Sequence, residues 1–171
     1  ASCAIFVAEE YLGRALDTDA LAASLATCPT PGRFDVLQSE PLILIDACHN
    51  PQSCENFVSS LDEINPNAAL RPLLLTAALA DKDVSGIVDV LVPAFPRIVV
   101  TQTASDRAIS AQDLAQLVLD KLEELGRPSS DLVEVVPSVL EAVERLTAAG
   151  EAFVAAGTIT LAGEVAGIMR G

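Results

Sequence analysis

The sequence predicts an open α/β fold: a mostly parallel sheet of about six strands with one antiparallel edge strand and helices on both faces. Three observations lead there. From Arg33 onward, short apolar runs alternate with amphipathic segments of helical spacing. The runs are rich in Leu, Ile and Val, as strands covered on both faces require. The first two runs adjoin with no room for a crossover, so they pair as a hairpin and leave one antiparallel strand at the edge.

Each element has its own signal. Residues 1–26 read as largely helical, and Pro29-Thr30-Pro31-Gly32 breaks that pattern. The expected division is therefore 1–29 as a helical tail or linker and 30–171 as the compact domain. Arg33 to Gln38 is the first strand, and Pro41-Leu42-Ile43-Leu44-Ile45-Asp46 the clearer second, ended by a carboxylate. Residues 52–64 carry Phe57, Val58, Leu61 and Ile64 at helical spacing. Pro72 to Thr76 is a strand, Val84 to Leu91 a helix, and Arg97 to Thr101 a strand. Ser110 caps a helix that runs toward Leu125 and stops at Gly126 and Pro128. Leu132 to Val136 is a strand, and Ser138 caps the next helix, which Gly150 stops. Ala152 to Ala155 is the last strand, and Gly157 leads into a final helix.

Composition narrows the function. The 171 residues suit one domain, and with no Trp and 4% aromatics the core must be aliphatic. A net charge of -14 repels phosphate backbones and acidic membranes, so nucleic acid and membrane are excluded as expected partners. No apolar run reaches the roughly 18 residues of a membrane span. Nothing at the amino terminus reads as a signal peptide. Cys3, Cys28, Cys48 and Cys54 form no CxxC pair and read as ordinary thiols, which favours a reducing compartment, hence the cytoplasm. One histidine with dispersed acids gives no closed ligand set, so no metal site is expected in this domain.

In an open parallel sheet, ligands bind outside the carboxyl ends of the strands. Four polar clusters fall there: Asp46 to Asn50, Asp81-Lys82-Asp83, Thr101 to Arg107, and Gly157-Thr158. His49 is the one histidine, three residues after the strand-ending Asp46; position alone leaves a structural role as open as a functional one. Lys82 lies in a loop at the same edge, where sequence alone favours a solvated loop cation over a ligand-binding one. Gly157-Thr158 at a helix start can hold an anion through backbone N–H groups, a weak signal taken alone. The phosphate-binding pattern G-x-x-x-x-G-K-[ST] is absent, so the chain has no visible means of cradling a triphosphate by itself. Cys48 next to His49 does not make a nucleophile–base pair, because adjacency in sequence does not orient the two side chains.

Five segments in order resemble one family. Pro31-Gly32-Arg33-Phe34 is similar to the P-G-R-hydrophobic opening of the last domain of folylpolyglutamate and dihydrofolate synthases. Leu44-Ile45-Asp46-Ala47-Cys48-His49-Asn50-Pro51 resembles their L-D-G-A-H-N-P signature, and Leu79-Ala80-Asp81-Lys82-Asp83 their D-K-D stretch. Ser105-Asp106-Arg107-Ala108 resembles S-P-R-A, and Ala156-Gly157-Thr158 with Gly163-Glu164 the closing T-G-S and G-E. The departures, Ala47-Cys48, Asp106, Ala156 and Thr158, remove no charge, although Asp106 and Ala156 alter their loops.

The resemblance implies a Rossmann-like carboxyl-terminal domain of the Mur ligase type. Such ligases use ATP to phosphorylate a carboxylate, and the amine of L-glutamate then attacks the acyl phosphate. Folate or dihydropteroate would be the acceptor. ATP and Mg2+ would be bound mainly by an ATPase domain preceding this one in the same chain, of which residues 1–29 would be the tail. It further implies that Arg33 and Asp46 contact the nucleotide, and that His49 and Lys82 are catalytic. His49, Lys82 and Thr158 would bind glutamate, with Asn50, Asp81, Ser105, Arg107 and Gly157 in support. A fragment of this kind would be inactive alone. Two other readings stay open: a domain of another Mur-type amino-acid ligase, and a non-catalytic binding module of the same fold.

Overall fold

The computed structural model describes residues 2–127 and 130–171. It divides into two compact units, Ala1–Thr30 and Pro31–Gly171. The first unit holds α1 (Ser2–Leu12) and α2 (Thr18–Thr27). Gly13, at φ 63°, ends α1. Asp17 then caps α2, its carboxylate accepting from Ala20 N at 2.9 Å. Neither helix has a buried residue.

The second unit begins with β1 (Asp35–Ser39) and β2 (Leu42–Asp46), then α3 (Pro51–Ile64). β3 (Leu73–Thr76), α4 (Val84–Leu91), β4 (Ile98–Val100) and α5 (Ala111–Glu124) follow. β5 (Val133–Val135), α6 (Val139–Ala148), β6 (Phe153–Ala156) and α7 (Ile159–Arg170) complete it. The sheet order is β1-β2-β6-β3-β4-β5. Only the β1–β2 pair is antiparallel. The hairpin and edge strand expected from the adjoining apolar runs are thus present. α3 starts at Pro51 rather than at 52, because proline at the first helical position gives up an N–H that would be unpaired anyway.

Handedness distributes the helices. Crossovers between parallel strands are right-handed, so the direction of travel along the sheet decides which face a helix covers. From β2 through β3 and β4 to β5 the chain moves one way, and α3, α4 and α5 lie on one face. The β5-to-β6 connection reverses direction, and α6 lies on the opposite face with α7. Strand residues alternate accordingly. Leu44, Leu74, Ile98 and Val154 point into the first layer, while Ile43, Leu75, Val99 and Phe153 point into the second. Each such side chain, fully buried, contributes about 1.5–3 kcal/mol.

Glycine ends two of the helices as the sequence suggests. After α5, Gly126 takes φ 67° and Arg127 N bonds back to Leu122 O at 2.8 Å. After α6, Gly150 takes φ 67° and Glu151 N bonds to Leu146 O at 2.9 Å. The stop expected at Pro128 lies outside the described residues. Among the described residues no helix is long and apolar enough to cross a membrane.

Candidate functional site

Inserting β6 between β2 and β3 fixes where a crevice can open. The chain leaves the carboxyl ends of β2 and β3 toward one face, into α3 and α4, but leaves β6 toward the other, into α7. Loops that part in this way open a gap at the sheet edge. The edge residues are in register: Asp46 pairs with Ala156, and Ala156 with Thr76.

Asp46 is buried and organises the first loop. Its Oδ1 accepts from Cys48 N at 2.8 Å and its Oδ2 from Phe34 N at 2.9 Å. The Arg33 guanidinium lies 3.8 Å from Oδ1 and is half-exposed. Phe34 has φ 47°, a left-handed conformation that costs a residue with a Cβ about 1–3 kcal/mol. That cost is met by the bond to Asp46 and by packing on Phe57, with ring centroids 5.7 Å apart. Ala47 N also donates to Gly32 O at 2.7 Å, so the Gly32-Arg33-Phe34 segment is clasped to the end of β2. Beside it, Gly32, Ile45, Ala47, Ile159, Ala162 and Arg170 help to line an open pocket of about 400 Å³.

His49 and Asn50 turn the chain into α3. Asn50 caps the helix, accepting from Ser53 N at 2.9 Å. His49 Nδ1 lies 3.1 Å from Ala47 O, and His49 N donates to Ser53 Oγ at 3.0 Å. Cys48 and Cys54 are buried beneath this turn. The hydrogen bond with Cys54 and burial push the Cys48 thiol far up, outweighing the Gly157 N–H that bonds its sulfur. Cys48 is therefore a structural thiol and no nucleophile.

Gly157 takes φ 122°, and a Cβ there would lie 2.6 Å from Ala77 O and 2.7 Å from Thr76 Oγ1. Only glycine fits between β6 and β3. Thr76 Oγ1 donates to Ala156 O at 2.8 Å and locks the same junction. Thr158 is buried, at 1% exposure, and caps α7 by accepting from Thr160 N at 3.4 Å. Its hydroxyl oxygen thus takes up one of the N–H groups that the first turn of α7 leaves without a helical partner, and its hydrogen remains to be donated.

Lys82 and Arg107 meet at one carboxylate. Asp81 Oδ2 lies 3.6 Å from Lys82 Nζ and 3.2 Å from Arg107. All three side chains are substantially exposed, so these pairs contribute at most about 1 kcal/mol each. Backbone bonds hold the two loops together: Ala80 N to Arg107 O at 2.7 Å, and Ile109 N to Ala78 O at 3.1 Å. Ser105 shapes the second loop, its Oγ accepting from Arg107 N at 3.3 Å. Asp83 caps α4, and a Cβ on Gly86 would lie 2.6 Å from Pro51 Cγ. The start of α4 thus sits against the start of α3, which brings the Lys82 loop beside the His49 turn. Among the described residues, no group of three His, Cys, Asp or Glu side chains could hold a metal ion.

Three contributors escaped sequence reasoning. Ser53 and Thr76 are common residue types whose partners are visible only in three dimensions. The left-handed Phe34 follows Arg33 and carries no marker of its own. For Ser53 a signal did exist, an N-cap residue with a hydroxyl at the third helical position, Asn50 to Ser53.

The family model described as Mur ligase, glutamate ligase domain, matches residues 32–162. The dihydrofolate synthase/folylpolyglutamate synthase of Mycobacterium tuberculosis is 38% identical over 102 residues, which is 60% of this chain and 20% of that protein. A probable bifunctional folylpolyglutamate synthase/dihydropteroate synthase of Halobacterium salinarum is 29% identical over 134 residues, 78% of this chain and 16% of that protein. Among solved structures, M. tuberculosis folylpolyglutamate synthase complexed with ADP and AMPPCP superimposes with a TM-score of 0.79 at 27% identity. The match covers 94% of this chain and 37% of that one. The folylpolyglutamate synthase of Thermotoga maritima gives 0.70 at 26% identity, covering 94% of this chain and 35% of that one. The chain thus spans about a fifth of the first curated relative's length and little more than a third of these solved chains.

Proposed function

The chain belongs to the Mur ligase glutamate ligase domain family, and from that premise we propose that it is the carboxyl-terminal domain of a folylpolyglutamate synthase, with dihydrofolate synthase activity as a further option. The reaction is the ATP-dependent addition of L-glutamate to a folate or dihydropteroate carboxylate through an acyl phosphate. The observation that supports this reading is the pairing of Lys82 and Arg107 on Asp81, in a loop whose following helix start packs against Pro51 just after His49, in a chain of net charge -14. A dicarboxylate amino acid would be repelled by such a chain everywhere except at a local cationic cluster.

Lys82 and Arg107 supply charge for the glutamate carboxylates, and Asp81 keeps both cations near each other when no ligand is bound. Thr158 acts through the amino terminus of α7, where free N–H groups favour an anion, and Gly157 lets that turn approach β3. Arg33 suits phosphate or ribose contacts, because a guanidinium stays charged and offers a fork of donors. Asp46 has spent one lone pair on each oxygen and retains acceptor capacity for a sugar hydroxyl. The neighbouring pocket of about 400 Å³ is roomy enough for a nucleoside base. ATP and Mg2+ would be held mainly by an ATPase domain in the same polypeptide, with the first unit as the tail or linker from it. Closing this domain onto that one would exclude water and align amine with acyl phosphate, as a lid does. The free cysteines suit a cytoplasmic enzyme.

The test is glutamate incorporation by the full-length enzyme with ATP and a folate acceptor. His49→Ala and Lys82→Ala should each lower kcat/KM about a hundredfold or more, while circular dichroism stays unchanged. Wild-type rates in both variants would remove the roles assigned here.

A further inference from the structure

Ser53 belongs to none of the segments that carry the family resemblance, yet its hydroxyl is fully committed to the His49 turn. Its Oγ accepts from His49 N at 3.0 Å and from Asn50 N at 3.2 Å, and donates to Asn50 O at 2.9 Å. A serine hydroxyl has one hydrogen and two lone pairs, so no capacity is left. The backbone on which the imidazole stands is therefore held at two successive N–H groups.

The ring is held as well. Ala47 O can only accept, so its 3.1 Å contact with His49 Nδ1 requires that Nδ1 carry the proton. A neutral imidazole has one N–H, which leaves Nε2 as a bare lone pair. Nε2 has no partner among the described residues. A carboxylate or phosphoryl oxygen has no hydrogen to offer that lone pair, whereas an ammonium group does.

We propose that Ser53 is a positioning residue which, with the Ala47 carbonyl, holds His49 in the Nδ1–H tautomer, so that Nε2 takes the ammonium group of the incoming amino acid rather than a carboxylate. The ligand half of this statement rests on the ligase reading above; the brace does not. The bond also gives the departing proton a destination. The N–H bond of the ammonium breaks with its electron pair kept on nitrogen, and the proton joins Nε2 to give an imidazolium. The freed amine can then attack the acyl carbon, which expels phosphate with the C–O electron pair, and the departing phosphate takes the second N–H proton to leave the neutral amide.

Because His49 is the one histidine of the chain, its ring nitrogens can be read without assignment in a ¹⁵N-labelled sample. At a pH well above the ordinary imidazole value of about 6.5, the wild type should show a protonated Nδ1 and a bare Nε2. Ser53→Ala should shift the ring toward the Nε2–H form that free histidine prefers, and Ser53→Thr, which keeps the hydroxyl, should restore it. An Nε2–H ring in the wild type, or a Ser53→Ala ring identical to wild type, overturns the brace. In the full-length enzyme Ser53→Ala should raise KM for glutamate about tenfold and leave KM for ATP and inhibition by glutarate unchanged. Glutarate keeps both carboxylates and lacks the nitrogen, so a parallel weakening of glutarate overturns the ammonium assignment, as does an unchanged KM for glutamate. A wild-type enzyme that incorporates no glutamate would end the ligase reading while the ring spectrum still decides the brace.

Discussion

Gly157→Ala is the sharpest perturbation the structure offers. At φ 122° an alanine is strained whatever the space around it, at about 1–3 kcal/mol. The new Cβ would also lie 2.6 Å from Ala77 O and 2.7 Å from Thr76 Oγ1, and neither neighbour is the free end of a flexible side chain. Relieving that overlap costs about 1–3 kcal/mol. Moving Thr76 breaks its bond to Ala156 O, worth about 1 kcal/mol. The sum is about 3–7 kcal/mol, a large part of the roughly 5–15 kcal/mol that holds a domain together. Urea unfolding followed by far-ultraviolet circular dichroism is the assay, since the chain has no Trp and its one tyrosine, Tyr11, lies in the first unit. With a slope of about 1–3 kcal/mol per molar, the midpoint should fall by about 2 M. Gly163→Ala is the internal control: it lies within α7, and a Cβ there meets nothing within 4 Å. It should stabilise by about 0.5–1 kcal/mol through helix propensity. A Gly157→Ala midpoint within about 0.3 M of wild type, with an unchanged slope, would refute the close-approach reasoning.

Arg71→Ala should destabilise by about 3 kcal/mol in the same assay, because the buried guanidinium pairs with Asp62 and donates to the carbonyls of Asn65 and Ala94, which would be left unpaired. Iodoacetamide should label Cys3 and Cys28 in the native protein and reach Cys48 and Cys54 only after unfolding, as mass spectrometry would report. Since the folded-state pKa of Cys48 is raised, the stability it contributes is complete below the ordinary thiol pKa and declines as pH climbs above it. Unfolding midpoints should therefore drop on the alkaline side, and Cys48→Ala should drop less steeply. Thr158→Ala should cost about 0.5–2 kcal/mol as a lost helix cap, whereas Thr158→Ser should stay near wild type in the same urea titration.

Local sequence specified most elements within a residue or two. The run Leu42 to Asp46 could only be a buried strand, and Ser110 and Ser138 do cap the helices that follow them. Strand order was less legible. β6 reads like β3, and nothing in Phe153-Val154-Ala155-Ala156 announces a place between β2 and β3. That placement depends on long-range pairing between Ala156 and both Asp46 and Thr76, which no short window contains. The same limit hid the site's interior. The burial of Thr158 and its bond to Thr160 N are likewise not written in the sequence, which reports position along the chain but not rotation about it. Residues 1–26 read as largely helical, and Gly13 and Asp17 divide them into two helices, a break that the reading did not place.

The topology also explains why so few residues could suffice for a site here. A return strand in the middle of the sheet makes neighbouring loops leave toward opposite faces, so the gap exists before any side chain is chosen. What the sequence must then supply is closeness and charge. Gly157 and Gly86 supply closeness, each at a point where a Cβ would come within 2.6 Å of a neighbouring segment. Lys82, Arg107 and the N–H groups that open α7 supply positive potential against a chain of net charge -14. Asp46 and Ser53 carry no part of that potential. They spend their oxygens on backbone N–H groups of the Phe34, Cys48, His49 and Asn50 turn, and so convert a loop that would otherwise be soft into a fixed platform for one imidazole. A variant that loosens this platform should therefore change how well a ligand is held long before it changes whether the domain folds.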